Sequence, residues 1–346
     1  MEKIRIGVIG ASGYTGADLI RLAARHPMIE LGPLIANTHA GKPLREVFPH
    51  LSFLGPTRLV SADEADWSNC SAVFCGLPHG TAQDIIVGLP SHLKIIDMSA
   101  DFRLRDAAVY AEWYGRPHSA SEMLKSAVYG LTEFYSHEIA SARLVACPGC
   151  YPTATLLALL PLVSPKLIDV SDIIIDAKSG ITGAGRSLKQ NLLFSEAGEG
   201  LSPYGVASHR HAPEIEQEIG RAAGQSVIVN FTPHLVPMSR GELVTCYVRL
   251  SAGATADDLR AALASRYEGA TFVSVMAEGG LPGTQHVRGS NHCLMAVFPD
   301  RVPGRAIVIS AIDNLVKGSA GQAMQNFNLM FGLDEAAGLT QLPMFP

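Results

Sequence analysis

The stretch ACPGCYPTA (146–154) sets Cys147 and Cys150 three residues apart, on either side of a Pro-Gly turn. Pro152 suits the first turn of a helix. Cys150 is therefore expected at or just before a helix N-terminus, where the dipole and unpaired N–H groups favour a thiolate. A thiolate in that place can attack an activated acyl group and hold it as a thioester able to accept hydride. Other fates are open to the same residues. Redox pairs of this spacing belong to short thioredoxin-like domains, whereas this pair lies far along the chain. Zinc would need two further ligands at suitable spacing, and none lies near, so no metal is expected. A buried, inert thiol is the common fate of a cysteine in a reducing compartment.

Thiol chemistry needs a proton donor and acceptor, and SHRHAPEIE (208–216) carries two histidines. In a strand or extended loop, side-chain alternation puts His209 and His211 on one face and Arg210 on the other. An imidazole there can protonate a nascent alkoxide and relay protons for thiol activation. A solvated turn or a metal pair are the alternatives. Arg103 follows a strand end in MSADFR, Arg186 a glycine-rich loop in SGITGAGR, and Arg240 precedes a strand in PMSRG. Each alone reads as a surface arginine; together, at strand termini, they suit recognition of carboxylate and phosphate.

The elements that must position these groups follow from periodicity. IRIGVI (4–9) reads as a strand, GASGYTG as a tight turn with glycines at 10, 13 and 16, and ADLIRLAARH as a helix. Glycines where a strand becomes a helix let the backbone approach a pyrophosphate at the helix N-terminus. About twenty residues beyond Gly16, where an NAD site places a carboxylate on the ribose, the chain reads ANTHAGK. Asn37, Thr38, His39 and Lys42 offer donors and no acid, which favours NADP. Further strands at 29–36, 72–78 and 94–100 make a parallel, doubly wound sheet. After Cys150 a helix and then strand-rich sequence predict an α+β domain with a mostly antiparallel or mixed sheet. A helical pattern over 313–333 is expected to return to the first domain, its Gly and Ala content allowing close approach.

At 346 residues the chain suits two domains of roughly 100 to 200 residues each. A net charge of −5, from 27 basic and 32 acidic residues, gives no broad positive field, so nucleic acid is not an expected partner. The six cysteines are scattered, and Met1 and Glu2 lead into KIRIGVIG with no signal-peptide pattern. This reads as a reducing, cytoplasmic setting. The apolar run TLLALLPLV is expected to stop at Pro161 and Pro165, short of the ~20 residues that cross a bilayer, so no membrane partner is expected.

GASGYTG, SADFR, PGCYPTA, SGITGAGR, HRHAPEIEQ, PHLVPMSRG and DNLVKGSAGQAMQN occur in this order, and nearly the whole chain resembles the N-acetyl-γ-glutamyl-phosphate reductase family, within the aspartate-semialdehyde-dehydrogenase superfamily. The resemblance implies NADPH-dependent reduction of an acyl phosphate to a semialdehyde, in arginine biosynthesis, through a cysteine thioester. It implies a Rossmann domain from 1–149 and 314–346, and a catalytic, dimerising domain at 150–313, the substrate lying across their junction in a homodimer or homotetramer. Onto this chain it carries Cys150 as nucleophile, His209 first and His211 second as acid/base, and Glu214 as the group that orients the histidine or meets substrate. Arg103 is implied as phosphate contact, with Arg186, Arg210 and Arg240 as further substrate contacts. Gly10, Ser12, Gly13, Tyr14, Thr15, Gly16, Asn37, Ser179, Gly180, Gly183 and Asn314 form the implied cofactor set. The family usually has Asn where this chain has Cys147. Lysine-pathway aminoadipyl-phosphate reductases and aspartate-semialdehyde dehydrogenases look alike at these motifs. A dinucleotide-sensing regulator and a thiol-dependent hydrolase or acyltransferase are the readings outside this chemistry.

Overall fold

The computed structural model describes residues 2–346, which divide into two compact units. One runs to Pro148 and takes in Ser319–Thr340; the other comprises Gly149–Gly318 and Gln341–Pro346. The closing segment thus differs from the boundary expected at 314–346. Its Met344 N–H donates to the Arg288 carbonyl at 2.8 Å, which ties it to the second unit.

The first unit is built on a sheet of β1 (Ile4–Ile9), β2 (Ile29–Ile35), β3 (Leu59–Val60), β4 (Ala72–Cys75), β5 (Lys94–Asp97), β6 (Val128–Tyr129) and β7 (Leu144–Ala146). Their order is β3-β2-β1-β4-β5-β7-β6, and every pairing is parallel. Strands covered on both faces need apolar residues throughout, and AVFC of β4 is buried at each position. The chain winds outward from β1 to β3, then restarts on the other flank of β1 with β4. That reversal is the place where doubly wound sheets take ligands, and GASGYTG leaves β1 there, directly before α1 (Tyr14–Ala23).

The helix Gly321–Met330 packs within this unit, after a π-helical turn at Val316–Ala320. Phe327 meets Phe74 with ring centroids 5.6 Å apart. Buried amides hold it more than small residues do. Asn326 Nδ2 and Gln322 Nε2 each donate to the Gly130 carbonyl at 2.8 Å, and His26 Nε2 bonds Asn328 Oδ1 at 2.9 Å. A methyl at Gly130 would lie 2.5 Å from Asn326 Nδ2, so only glycine admits this approach.

The second unit carries β8 (Ile168–Gly180), β9 (Ser202–Pro203), β10 (Asn230–Val236), β11 (Glu242–Leu250), β12 (Val273–Val275), β13 (Cys293–Pro299) and β14 (Arg305–Ile312). The order is β12-β13-β14-β11-β8-β10-β9. The sheet is mixed: β8/β10 and β12/β13 are parallel, the other pairings antiparallel. Period-two alternation buries Ile173, Ile175, Val244, Cys246 and Val248 on one face. Ile174, Thr245, Tyr247, Ile307 and Ile309 stand half-buried on the other.

Packed against this sheet is α2 (Cys150–Val163), with α3 (Ala212–Ala223) and α4 (Ala256–Arg266) beside it. From Tyr151 to Val163 α2 is buried on every side, as its uniformly apolar sequence requires. The helix runs through Pro161 instead of stopping there. Proline has no N–H to give the Leu157 carbonyl one turn earlier, and in its place the Tyr267 hydroxyl donates to that carbonyl at 2.6 Å. Among the described residues no helix is long and apolar enough to cross a membrane.

Tyr267→Phe strands the Leu157 carbonyl in the core. The expected loss is about 1–3 kcal/mol of unfolding free energy, measured by urea titration. An unchanged midpoint would mean that another donor closes the break.

Candidate active site

Gly149 is the N-cap of α2, with extended backbone (φ −65°, ψ 161°) and no side-chain cap, and Cys150 is the first helical residue. The sulfur therefore sits at the positive end of a helix with no acid in its first turn. Cys150 is half-buried, whereas the other five cysteines are buried, and none forms a disulfide. Cys147 belongs to the first unit. Burial pushes its thiol up to about 12, and Asn326 Nδ2 lies 3.6 Å from its sulfur.

The second unit brings the HRH segment to this helix end. It forms a turn ahead of α3, not the strand or extended loop assumed from alternation, yet the imidazoles of His209 and His211 still meet, centroids 4.7 Å apart. His209 Nδ1 accepts the His211 N–H at 3.1 Å, which closes the turn. Its ring packs among Tyr151, Tyr204 and Phe231, and burial, aided by the Arg210 charge, lowers its pKa to about 4. His209 is thus a neutral, fixed imidazole at ordinary pH. His211 lies nearer the helix end: a methyl on Gly149 would sit 2.4 Å from its Nε2. Glu214, in the first turn of α3 and fully buried, accepts the Gly149 N–H at 2.9 Å.

One residue of the site escaped the sequence reading. Glu242, the first residue of β11, is fully buried, and its carboxyl lies in hydrogen-bonding reach of the Cys150 thiol, although the contact falls short of full geometry. Burial above all, and the Asp313 charge, push it up to about 8 against the pull of that thiol. An acid opening a strand normally faces water, so nothing in the local sequence marks it.

The remaining expected residues divide between the units. Ser179, Gly180, Gly183 and Asn314 gather in the second unit. A methyl on Gly183 would lie 3.0 Å from Ser179 Oγ, and one on Gly180 2.9 Å from the Met238 and Ser239 carbonyls. Asn314 accepts the Gly241 N–H at 2.9 Å and donates to Thr182 Oγ1 at 3.0 Å. Arg240 reaches Asp313 at 3.4 Å from a partly exposed position; Arg186 and Arg210 are exposed. In the first unit Arg103 is buried, its Nε donating to the Cys147 carbonyl at 2.8 Å and its Nη2 to that of Met98 at 3.1 Å. Asn37 is exposed after β2, accepting the Ala62 N–H at 3.3 Å.

The first unit fits a dinucleotide. Gly10 has φ +85°, and a methyl there would lie 2.2 Å from the Gly76 carbonyl oxygen; one on Gly16 would lie 2.4 Å from that of Gly10. Such crowding leaves only bare backbone at the turn. Ser12, Gly13 and Thr15 are half-buried around it, Tyr14 is exposed, and α1 starts there with neither a side-chain cap nor an acid in its first turn. Its N–H groups and partial positive charge remain for a pyrophosphate.

Comparison with known proteins agrees with both halves. A family profile described as "Semialdehyde dehydrogenase, NAD binding domain" matches residues 5–142, and one described as "Semialdehyde dehydrogenase, dimerisation domain" matches 150–314. The chain is 55% identical over 345 residues to a probable N-acetyl-gamma-glutamyl-phosphate reductase, chloroplastic, of Oryza sativa, covering 100% of this chain and 83% of the relative. It is 53% identical to the N-acetyl-gamma-glutamyl-phosphate reductase of Rhodospirillum rubrum, covering 100% and 99%. Among solved structures, aspartate semialdehyde dehydrogenase II from Vibrio cholerae superposes with a TM-score of 0.73 at 18% identity, covering 96% of this chain and 99% of that one. At that identity the likeness is one of fold.

Two predictions follow from the geometry. The backbone at Gly149 suits any residue, so Gly149→Ala acts by displacing His211; turnover should fall about 10²-fold with the melting temperature nearly kept, and full turnover would place His211 outside the chemistry. The pKa of Glu242 in the fold, about 8, exceeds the ~4.3 of a carboxyl in the unfolded chain. The fold thus favours its protonated form: that stability is complete below pH ~4.3 and is lost as the pH rises through about 8. Between pH 5 and 8.5 the wild type should lose stability relative to Glu242→Gln in urea titrations; parallel pH profiles would contradict the assignment.

Proposed function

We propose that this chain, which belongs to the N-acetyl-γ-glutamyl-phosphate reductase family, reduces N-acetyl-L-glutamyl 5-phosphate with NADPH to N-acetyl-L-glutamate 5-semialdehyde and phosphate, a step of arginine biosynthesis. The observation that carries the reading is Cys150: the one cysteine not buried, at the mouth of a buried helix, with His211 against the preceding glycine. The family relationship supplies the substrate; these residues supply a way to process it.

Cys150 attacks the acyl carbon, the acyl–phosphate bond breaks with its electron pair on phosphate, and a thioester remains on the sulfur. Oxyanion charge that develops at the acyl carbon meets the positive end of α2. His211 is the proton donor and acceptor for the acyl oxygen and the leaving phosphate; His209, held neutral and bonded through Nδ1, positions it. Glu214 keeps the Gly149 N–H, and hence the start of α2, in place. The Gly10–Gly16 turn would hold NADPH, which would supply a hydride for the thioester.

Arg240 is the contact for the substrate carboxylate: its pairing with Asp313, at 3.4 Å, is loose enough to share a second anion. Arg103 is the phosphate contact, its planar fork preset by two carbonyls. The absence of a carboxylate from Asn37 to Lys42 favours NADPH over NADH. The half-buried apolar face around Ile174, Tyr247 and Ile307 pairs two copies into a homodimer, in keeping with the dimerisation profile, and the enzyme works in the cytoplasm.

Cys150→Ser should bind NADPH normally and lose at least about 10³-fold in turnover on the acyl phosphate, read at the reduced-nicotinamide absorbance. His211→Asn should abolish one limb of the kcat/KM profile against pH, while His209→Asn should lower kcat and keep that limb. A Cys150→Ser enzyme with near-normal kcat would end this reading.

A further inference from the structure

We infer that Glu242 is the immediate proton partner of Cys150, its carboxylate taking the thiol proton as sulfur attacks and returning it when the aldehyde departs. The inference rests on the reading of Cys150 as nucleophile.

Glu242 opens β11 in the middle of the second sheet, paired with Ser179 on β8 and Ile312 on β14. It shares a face with Val244, Cys246 and Val248, and with the buried hydroxyls of Ser179 and Ser310, so its carboxyl enters the mainly apolar layer covered by α2. Of the other buried acids in this unit, Glu218 meets Gln217 and Arg221 side chains, and two hold the fold together by accepting backbone N–H groups. Glu214 takes that of Gly149, and Asp313 takes those of Gly289, Leu315 and Val316. Glu242 takes none: apart from the Cys150 thiol, neither of its oxygens has a hydrogen-bond partner among the described residues. A buried acid that secures no backbone and pairs with no cation is not explained by stability. Its place on the reacting sulfur explains it.

The groups that face this carboxyl come from every neighbouring element. Cys150 and Tyr151 come from α2, Tyr204 from beyond β9, and Asp313 from beyond β14, the last already engaged by Arg240. Behind the sulfur Gly318 closes the wall, since a methyl there would lie 2.8 Å from Cys150 Cβ. In this setting burial raises the carboxyl's proton affinity to about 8, far enough above an ordinary carboxylate for it to hold a proton taken from a thiol.

The step balances. The S–H bond breaks and its proton goes to a Glu242 oxygen; the C–S bond forms, and the acyl–phosphate bond breaks with its electron pair leaving on phosphate, which takes its own proton through His211 from solvent. After reduction of the acyl carbon by a hydride, which NADPH would supply, the C–S bond breaks with its pair on sulfur, and Glu242 returns the proton. Glu242 ends ionised, as it began, the form that reacts being the one populated as the pH rises through about 8.

The test is the pH dependence of Cys150 alkylation by iodoacetamide, followed by peptide mass mapping without substrate or cofactor. The other five cysteines are buried, so native alkylation reports this thiol. Two groups that share a proton titrate in two macroscopic steps. The wild type should show two ionisations, Glu242→Gln one, and Glu242→Asp two again, with kcat/KM of the Gln variant down by about 10²–10⁴-fold. A single ionisation in the wild type overturns the inference on its own, whatever the variants do. A Gln variant with full turnover overturns it while leaving Cys150 in place if Cys150→Ser is dead; an active Cys150→Ser removes the parent reading instead.

Discussion

A helix buried on all sides must find partners for its first N–H groups inside the protein, and α2 finds one in the carboxylate of Glu214. That bond sets the positions of two helix starts at once. Glu214 lies in the first turn of α3, so its carboxyl sits near the positive ends of both α2 and α3, where negative charge is favoured. Because the HRH turn immediately precedes α3, fastening Glu214 to Gly149 also carries His211 onto the same glycine. Nucleophile and imidazole are brought together by one hydrogen bond between two helix N-termini.

The rest of the second unit keeps that helix end from moving. Its length is preserved across Pro161 by a hydroxyl from Tyr267, 110 residues away, and its flank is closed by Gly318. The sheet beneath contributes a single acid to a largely apolar face. The four buried acids of this unit thus divide the work by what they accept: Glu214 and Asp313 accept backbone N–H groups and hold loops, Glu218 pairs with Arg221, and Glu242 accepts no backbone N–H and addresses the sulfur.

Local pattern was enough for the parts of the fold that depend on local pattern. The β1–turn–α1 unit, the parallel sheet and the buried helix after Cys150 follow from glycine placement and apolar runs, and the family motifs point to a matching chemistry. Non-local partners were out of reach. Proline reads as a stop because no neighbour in sequence can replace its missing N–H; Tyr267 does so from another element. The two histidines share a face, as alternation predicted, but for a different reason: a turn closed by His209 Nδ1. His209 and His211 look alike in sequence and differ only in what surrounds them. Glu242 reads as a solvated strand end, and its role rests wholly on burial against Cys150.

The central claim is that Cys150 becomes acylated before any hydride moves. Mixing the protein with N-acetyl-L-glutamyl 5-phosphate in the absence of nicotinamide and weighing the intact chain by mass spectrometry tests it most directly. The account predicts one acetylglutamyl adduct, mapped to the peptide containing Cys150, with one equivalent of phosphate released. An unmodified chain that still releases phosphate, or an adduct on any other residue, would contradict it.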